Sequence, residues 1–453
     1  MSSDTIAAIA TAPGEGGIAI VRVSGPMTAD ILRSLFRPAS PAVSFPLPDR
    51  QLIYGHVMDG EAVVDEGLAV MFHAPHSYTR EDVGEFQLHG GQAVAQKVLE
   101  LCLMHGARLS EPGEFTRRAF LNGRLDLSQA EAVMALIRSR GEQARKAAME
   151  QLQGGTSQFI RTCADRLYAI QASLAACLDY PEEIEDGEAL EDLLPRIADL
   201  EKELRAALHE RASRILHHGL QVALCGRPNV GKSSLLNALL GEEKAIVTAI
   251  PGTTRDMVEG EISLGGGIIH LVDTAGVRET EDAVEQVGVS RAKRAAASAD
   301  LTLFLLDSSS PLEKDELDLA ADLKRQGARV VLVCSKSDLP RVLDLSPLRV
   351  LFPESPVLSL SALTPETLSP LRELLLQEVS VSDRMVLTQP RHLDAARRAA
   401  DHLLQALETL KSSPLDLVTL DLDQAQAALG EITGDQVEER LLDEVFSTFC
   451  VGK

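Results

Sequence analysis

The sequence has 453 residues, of which 45% are apolar, 25% charged and only 3% aromatic, with no Trp. This length exceeds one hydrophobic core, so it predicts about two to four domains with largely aliphatic cores. The formal net charge of −23 argues against a protein that binds nucleic acid through a broad basic face. A local basic patch, or nucleic-acid contact shared with a more basic partner, stays open.

The six cysteines are scattered, with no C-x-x-C pair and no His at metal-ligand spacing. That usage favours a reducing compartment and argues against a disulfide framework or a structural zinc. The first residues lack the basic and apolar regions of a signal peptide, and no apolar run approaches the ~18–20 residues of a membrane span. We therefore predict a cytoplasmic protein that does not enter the membrane.

Residues 1–120 alternate short apolar segments with Gly, Pro and Asp, a pattern typical of strands and turns. We predict strands at Ile18–Val23, Gln51–Val57 and Leu68–Phe72, and a helix at Val94–His105. These elements predict a small α+β domain.

Helical sequence occupies residues 121–218 and 381–453. Ser128-Gln-Ala-Glu131 has the spacing of a capping box, and an Ala-rich, Pro-free stretch follows it to about Gln153. More helix is expected to about Leu216, interrupted at the acidic segment Tyr180–Glu188, and again from His392 to about Phe449. The two parts are predicted to pack together as one all-α domain, although separate helical hairpins remain an alternative.

Strands and helices alternate between these helical parts, over residues 219–380. Such alternation predicts a doubly wound, mostly parallel sheet. The predicted strands are Val222–Cys225, Ile268–Val272, Leu301–Leu306, Val330–Cys334 and Val357–Leu360.

The strongest motif is Gly226-Arg-Pro-Asn-Val-Gly231-Lys232-Ser233, which satisfies the P-loop pattern G-x-x-x-x-G-K-S. It follows a predicted strand and opens a predicted helix, a context that disfavours a simple Gly-rich turn with a surface Lys. Main-chain amides at a helix N-terminus can hold phosphates. Lys232 is expected to reach the β- and γ-phosphates, and Ser233 to bind Mg²⁺.

Four further elements follow in the order of a GTPase. Thr253-Thr254 can bind Mg²⁺ and sense the γ-phosphate, and Asp273-Thr-Ala-Gly276 can contact the Mg²⁺ shell and the γ-phosphate. Asp338, in Ser335-Lys-Ser-Asp338, can accept the N1–H and exocyclic amine of guanine, which adenine does not offer. Ser361-Ala362 would complete the base pocket. The series predicts a GTPase.

The motifs do not directly identify the residue that orients the attacking water molecule. Val277 occupies the position where Ras-like GTPases place a water-orienting Gln, so another polar group must serve. The acidic stretch Glu279–Glu285 is the nearest source, although a solvated loop is an equal alternative. Arg255, Arg278 and Arg291 could supply positive charge, as could a monovalent cation.

These motifs and their flanks closely resemble the MnmE (TrmE) family of tRNA-modifying GTPases. The matching stretches outside the nucleotide motifs are Val21-Arg-Val-Ser-Gly25, Ser77-Tyr-Thr-Arg-Glu-Asp-Val-Gly-Glu85, His89-Gly-Gly91, Pro112-Gly-Glu-Phe-Thr116, Arg118-Ala-Phe-Leu-Asn122, Leu125-Asp-Leu127 and Phe449-Cys-Val-Gly-Lys453.

The resemblance implies a multidomain α/β protein: an N-terminal α+β folate-binding and dimerisation domain (1–120), a helical domain in two parts (121–218 and 381–453), and an inserted Ras-like P-loop GTPase domain (219–380). It implies a homodimer that works with the FAD-containing partner MnmG on C5 of the tRNA wobble uridine. FAD is on the partner, and a tetrahydrofolate derivative (5-formyl- or methylene-tetrahydrofolate) supplies the one-carbon unit. GTP hydrolysis is coupled to G-domain dimerisation and stimulated by K⁺.

Carried over to this sequence, the resemblance assigns five sets of residues. Mg²⁺ would be held by Ser233 and Thr254, and K⁺ by Asn229, Thr248, Ile250 and Thr253. The catalytic residues would be Glu285, which positions the hydrolytic water, Lys232 and Cys450; the folate-binding residues would be Arg22, Glu85, Arg124 and Lys453. The GTP-binding residues would be Asn229, Val230, Gly231, Lys232, Ser233, Ser234, Thr248, Ala249, Ile250, Pro251, Gly252, Thr253, Thr254, Asp273, Thr274, Ala275, Gly276, Ser335, Lys336, Asp338, Ser361 and Ala362.

Two positions leave alternatives open. Prenylation of Cys450 is disfavoured because Gly and Lys fill the last two positions of Cys450-Val-Gly-Lys. The thiol can take part in modification or be a buried structural Cys. Ser335 stands where the family usually has Asn, and its side chain is shorter with fewer donors, so we expect somewhat weaker GTP binding.

The rival functions are a binding switch whose flanks only recruit partners, and an ATPase with a degenerate fourth motif. The N-terminal domain could also be a dimerisation module without a ligand. Folate binding separates the first and last of these from a tRNA-modification enzyme, and nucleotide competition separates the second.

Overall fold

The computed structural model describes residues 4–179, 186–242, 260–273, 299–380, 387–412 and 415–453. The chain divides into two compact units. The first unit comprises residues 1–137, 149–205 and 395–453, and the second comprises 138–148 and 206–394. Helical segments from both sides of the second unit therefore belong to the same first unit. Within the described ranges, no helix has both the length and the apolarity needed to cross a membrane.

A seven-stranded sheet begins the first unit, in the order β3-β4-β5-β6-β2-β1-β7. All neighbours are antiparallel except β1 and β7, and helices α1 (Thr28–Leu35) and α2 (Gln92–Met104) cover its apolar face. The predicted strands and helix correspond to β2, β4, β5 and α2. The strands are β1 Thr5–Ile9, β2 Ile18–Ser24, β3 Phe36–Pro38, β4 Ile53–Asp59, β5 Ala62–Phe72, β6 Val83–His89 and β7 Ala107–Leu109.

Helices make up the rest of the first unit, as the sequence predicts, and four of them have residues assigned to both units. They are α3 Glu114–Leu121, α4 Leu127–Arg138, α5 Glu142–Leu152, α6 Gly155–Asp179, α7 Asp186–Ala206, α13 Pro390–Ser412, α14 Leu415–Thr433 and α15 Glu439–Ser447. Contacts join the segments that lie far apart in sequence: Gln171 Nε2 donates to Asp423 Oδ1 at 2.8 Å, and Arg205 pairs with Asp401 at 2.6 Å.

The predicted cap of α4 is wrong by two residues. Asp126, not Ser128, is the N-cap: its carboxylate accepts the Gln129 amide at 2.9 Å, and Gln129 Oε1 accepts the Asp126 amide at 3.0 Å. This is a reciprocal capping box built from Asp and Gln. Ser128 is instead buried inside the helix, where its carbonyl accepts a hydrogen bond of 2.8 Å from Gln151.

The second unit contains a six-stranded sheet in the order β13-β12-β11-β8-β10-β9. Every pair is parallel except β9 and β10, and apolar clusters cover both faces, which confirms the doubly wound prediction. The strands are β8 Leu220–Cys225, β9 Gly260–Leu264, β10 Gly267–Asp273, β11 Leu301–Asp307, β12 Val330–Ser335 and β13 Val357–Ser359. The described helices are α8 Glu210–His218, α9 Lys232–Glu242, α10 Lys314–Arg325, α11 Ser346–Leu351 and α12 Ser369–Val379, with a 3₁₀ turn at Pro365–Leu368.

The beginning and the end of the second unit are held together at one carbonyl. The Ser213 hydroxyl and the His217 ring nitrogen, both on α8, contact the main-chain oxygen of Thr388; the His217 distance is 3.0 Å. Ser213 is buried, and burial lowers the pKa of His217 below its ordinary value, which favours the neutral ring at neutral pH.

A buried arginine, Arg118 on α3, organises the N-terminal part of the first unit. Its side chain is 4% exposed and pairs with Asp4 at 3.0 Å, Glu81 at 3.0 Å and Glu114 at 3.3 Å. Burial opposes ionisation of Glu114, but hydrogen bonds from Arg108 and from the Glu111 amide, together with the charges of Arg108 and Arg118, outweigh it and lower the pKa of Glu114. The Glu114 carboxylate is therefore charged at neutral pH, with Arg108 and Arg118 as its cationic partners.

We predict that Arg118→Met destabilises the first unit by about 3–5 kcal/mol at neutral pH, because it removes the arginine partner of Glu81 and one of the two arginines that pair with Asp4 and Glu114. All four tyrosines precede residue 206 and there is no Trp, so tyrosine fluorescence during urea unfolding reports on this unit. The matched control is Arg33→Met, whose pair with Asp30 is 54% and 70% exposed and should cost less than about 0.5 kcal/mol.

The Arg118 effect should depend on pH with a defined sign. Because the pKa of Glu114 is lowered in the folded state, its stabilising contribution is present above its ordinary pKa and is lost as the pH falls through the folded value. The difference between the wild type and Arg118→Met should therefore shrink below about pH 4. A difference that stays constant down to pH 3 would contradict the ion-pair account.

Candidate functional site

The predicted P-loop joins the end of β8 to the start of α9, as the motif requires. Gly226 has φ 147°, and a Cβ there would lie 2.6 Å from the carbonyl oxygen of Leu305, so only glycine fits. Lys232 is 5% exposed, and its Nζ donates to the carbonyls of Gly226 at 2.8 Å and Arg227 at 2.7 Å. The ammonium group is thus held over the loop whose amides can bind phosphates.

Ser335 braces this loop from the end of β12. Its hydroxyl lies 2.6 Å from the carbonyl oxygen of Val230 and 3.0 Å from that of Leu306, and the residue is buried. A hydroxyl has one proton to donate, whereas an amide has two, so Ser335 can serve these two carbonyls only alternately or by sharing. The brace is therefore present with serine, but with fewer donors than asparagine would supply.

The loops predicted to bind the base are tied to one another and to the sheet. The Ser337 amide donates to Leu360 O at 3.1 Å, which joins the loop after β12 to the loop after β13. Lys336, with φ 53°, pairs with Asp307 at 2.5 Å. Burial of Asp307 opposes ionisation, but hydrogen bonds from Lys336 and Ser309 outweigh it and lower the pKa of Asp307.

Asp307 is a residue that the sequence analysis did not single out. Its position directly after the predicted strand Leu301–Leu306 was the available signal, because the carboxyl ends of parallel strands meet at one edge of the sheet. Asp338 is exposed in the same loop as Lys336, and Ser361 is buried with its amide donating to Thr367 Oγ1 at 2.9 Å.

The remaining predicted nucleotide residues divide into two groups. The described ones at the P-loop include Asn229, which has φ 59°, the buried Val230, and the exposed Ser233 and Ser234. The others lie outside the described residues, as does the side chain of Asp273, although its main chain ends β10. Those outside are Thr248, Ala249, Ile250, Pro251, Gly252, Thr253, Thr254, Thr274, Ala275, Gly276 and Glu285.

A second candidate site lies on the N-terminal sheet, on the face opposite α1 and α2. Arg22 on β2 and Glu85 on β6 are direct cross-strand partners, and Arg22 Nε lies 2.8 Å from Glu85 Oε1. The alternation of β2 buries Val21 and Val23 in the core, which turns Arg22 to the other face. The side chains of Arg22 and Glu85 are only 16% and 13% exposed. The pair is sheltered but reachable.

The C-terminal tail reaches the same face. Arg22 donates to the carbonyl of Gly452 at 3.3 Å, and a Cβ at Gly452, where φ is 90°, would lie 2.6 Å from Ile9 O. The glycine thus lets the tail approach β1 closely. Burial and the charge of Arg22 lower the pKa of Lys453 below its ordinary value, while Glu85 acts in the opposite direction. The structure therefore brings Arg22, Glu85 and Lys453 together.

Arg124 joins this group through Tyr78. The guanidinium carbon of Arg124 lies 4.6 Å from the Tyr78 ring centroid, and that of Arg22 lies 5.7 Å from the same centroid. Arg124 also donates to Tyr78 O at 2.8 Å, and the Tyr78 hydroxyl is 2.9 Å from Thr116 Oγ1. Tyr78 is therefore a shared wall of the site. Tyr78 lies in the family-matching stretch Ser77–Glu85, but only the folded structure shows that it contacts both arginines.

Cys450 is exposed, so the alternative of a buried structural Cys is wrong. Its carbonyl accepts the Gly113 amide at 3.4 Å, which ties the tail to the start of α3. By contrast, burial raises the pKa of Cys102 and Cys163 to about 12, so their thiolates are scarce at neutral pH. Cys450 is thus exposed beside Lys453, whereas Cys177 is half-buried and the other four cysteines are buried.

Comparison with known proteins accounts for nearly the whole chain. Two family models match: the MnmE helical domain over residues 127–450, and the GTP-binding protein TrmE N-terminus over residues 5–124. The tRNA modification GTPase MnmE of Heliobacterium modesticaldum is 45% identical over 469 residues, with 100% of each chain covered. That of Symbiobacterium thermophilum is 45% identical over 464 residues, again with 100% of each chain covered. Among solved structures, the G domain of the T. maritima FeoB iron transporter is 29% identical, covers 36% of this chain and 99% of its own, and has a TM-score of 0.28.

We predict that Ser335→Ala weakens GTP and GDP binding by about three- to tenfold, the effect of losing one net hydrogen bond of the P-loop brace. Equilibrium titration with a fluorescent guanine nucleotide measures it. Ser337→Ala is the matched control, because Ser337 is exposed in the same loop. Equal affinity of Ser335→Ala and the wild type would show that the hydroxyl does not support the loop.

Proposed function

The chain belongs to the MnmE family of tRNA modification GTPases, and from that membership we infer the reaction in which it takes part. It is a GTP-hydrolysing enzyme with a role in tRNA modification. We propose that it installs an aminomethyl or carboxymethylaminomethyl group at C5 of the tRNA wobble uridine. In this proposal a tetrahydrofolate derivative supplies the one-carbon unit, and a separate flavoprotein supplies FAD.

The observation that carries the folate proposal is the meeting of Arg22, Glu85 and Lys453 on one face of the N-terminal sheet. The Glu85 carboxylate can accept hydrogen bonds from the N–H groups of a pterin, and Arg22, Arg124 and Lys453 can pair with folate carboxylates. A surface that served only for dimerisation would not require such a cluster of sheltered charges. Cys450, exposed beside it, is proposed as the thiol that takes part in the modification.

The nucleotide half of the proposal follows from the P-loop and its brace. Ser233 is exposed at the second position of α9, where its hydroxyl can bind Mg²⁺ together with Thr254. Mg²⁺ and K⁺ would stabilise the negative charge that develops on the phosphates during hydrolysis. Asn229, with Thr248, Ile250 and Thr253, is proposed to hold K⁺, Glu285 to orient the water, and Lys232 to reach the phosphates.

The proposed assembly is a cytoplasmic homodimer that meets tRNA largely through the flavoprotein. The net charge of −23 supports this division of labour, because phosphate binding depends on Lys and Arg that release counterions from the nucleic acid. Appreciable salt-dependent binding of tRNA by this chain alone would contradict it.

We expect GTP hydrolysis to be several-fold faster in KCl than in NaCl of equal ionic strength, since K⁺ would add positive charge where no arginine finger is evident. Glu285→Ala should abolish the stimulated rate while leaving nucleotide affinity near that of the wild type. Steady-state phosphate release measures both. Equal rates in the two salts would favour a simple binding switch, and efficient competition by ATP would favour an ATPase.

We also expect Glu85→Gln to weaken binding of 5-formyl-tetrahydrofolate about tenfold or more, because a charged hydrogen-bond acceptor contributes about 1.5–3 kcal/mol. Calorimetric titration of the full chain measures the affinity. Lys97→Met is the control, since its exposed pair with Asp59 lies in the same domain away from the site. If the wild type does not bind the folate, the N-terminal domain is a dimerisation module without this ligand.

A further inference from the structure

An open cleft of about 470 Å³ adjoins the candidate folate site. Its volume falls within the range of roughly 300–1,000 Å³ that is usual for small-molecule sites. Tyr78 and Arg124 line it, so the cleft shares two residues with the site described above. The remaining lining residues are Arg50, Phe72, Pro75, His76, Ser77 and Arg80.

Positive charge dominates the cleft. Arg50, Arg80 and Arg124 are all exposed, and, within the described parts of the chain, neither Arg80 nor Arg124 has a carboxylate at ion-pair distance. Arg50 is 3.8 Å from Asp49, a long pair, with its side chain 51% exposed. Three guanidinium groups thus face one opening in a protein whose net charge is strongly negative. Local charge of this sign attracts an anion.

Each guanidinium donates a hydrogen bond to a main-chain carbonyl. Arg50 donates to His76 O at 2.7 Å, Arg80 to Asn122 O at 3.0 Å, and Arg124 to Tyr78 O at 2.8 Å. A guanidinium has five N–H donors, so each keeps donors for a ligand. These contacts orient the groups without neutralising them. This is the arrangement that binds carboxylates through charge-assisted hydrogen bonds.

Two of these arginines also have an unusual main chain. Arg50 has φ 56° and Arg80 has φ 61°, in the left-handed region that glycine tolerates and a long side chain rarely occupies. Non-glycine residues in this region carry a conformational cost and concentrate at ligand sites. Glycine would adopt the main-chain conformation at positions 50 and 80 with less strain. The presence of arginine at both positions therefore indicates that the side chains have a function.

We propose that this cleft binds the carboxylates of a γ-linked oligoglutamate extension on the folate, with Arg80 and Arg50 contacting glutamates beyond the first. The proposal rests on the proposed function, because the folate itself must first be held by Arg22, Glu85 and Lys453. Tyr78 lies between the two groups of charges, so a ligand can pass along its ring from one to the other. Phe72 and Pro75 offer apolar surface to the methylene groups of the chain.

A nucleic-acid phosphate is the alternative anion. The three arginines occupy one small cleft continuous with a small-molecule site, whereas binding of an RNA backbone needs several contacts spread along a surface. The strongly acidic chain offers no broad basic surface to extend it. The oligoglutamate is therefore the occupant that the geometry favours.

The test compares 5-formyl-tetrahydrofolate carrying one glutamate with the same compound carrying three, by calorimetric titration of the full chain. We expect the triglutamate to bind about fivefold more tightly at low salt, the effect of two exposed charge pairs. The advantage should decrease when the ionic strength rises from roughly 0.05 M to 0.3 M, because exposed pairs are screened.

Two variants locate the effect. Arg80→Gly keeps the left-handed main chain without strain and removes the guanidinium, and Arg50→Gln removes the second charge. Each should reduce the preference for the triglutamate while leaving the monoglutamate affinity close to that of the wild type. The control Arg37→Gln, an arginine 59% exposed on β3, should retain the full preference.

The outcomes separate this inference from the proposed function. Binding of both compounds with equal affinity by the wild type would overturn the oligoglutamate site and leave the folate site intact. Binding of neither would overturn the folate proposal and this inference with it. Equal affinities combined with weaker tRNA binding by Arg80→Gly would assign the cleft to nucleic-acid phosphate instead.

Discussion

The guanidinium of Arg118 holds together the three segments on which the candidate folate site is built. It pairs with Asp4 before β1, with Glu81 beside β6, and with Glu114 on α3. The tail docks on the start of α3 through Gly113, and the Arg22–Glu85 pair lies on β2 and β6 between these supports. A buried ion cluster of this kind is poor as a source of net stability but strict about geometry, since each carboxylate is costly if left alone. Placement of the ligand-binding charges follows from that strictness.

The nucleotide side depends on a smaller set of neutral contacts. Ser335, the last residue of β12, hydrogen-bonds to the P-loop. In the loop that follows β12, the Ser337 amide donates to Leu360, directly after β13. The parts that would hold phosphate and base are therefore connected through one short segment. A change in either part can be felt by the other through it. Serine makes this connection with a single proton, so it is less rigid than an amide would make it.

The sequence predicts some elements better than others for physical reasons. The buried parallel strands β8, β10, β11 and β12 were found because both faces are covered, which makes each a continuous apolar run. The short edge strand Gly260–Leu264 was missed because only two of its five residues are large apolar ones and glycines follow it. The cap at Asp126 was misplaced by two residues because several capping residues stand close together.

Site residues show the same division. The P-loop is local in sequence, so its chemistry could be predicted from spacing. The joining of Arg22 with Gly452 spans 430 residues, and the meeting of Arg50, Arg80 and Arg124 depends on turns that no local pattern specifies. The family resemblance supplied Arg22, Glu85, Arg124 and Lys453, but it assigned no role to Arg50, nor to Arg80, although Arg80 lies in the matching stretch Ser77–Glu85.

The joint at Thr388 has a consequence for how such a chain could have arisen and how it folds. Because Ser213 and His217 both contact the main-chain oxygen of Thr388, the two ends of residues 206–394 lie close together. The entropic cost of bringing the ends of a chain segment together grows only with the logarithm of its length, so a long insert with adjacent ends costs little more than a short one. A self-contained domain can therefore be gained, lost or exchanged at this point with little change to the folding of the unit that carries it.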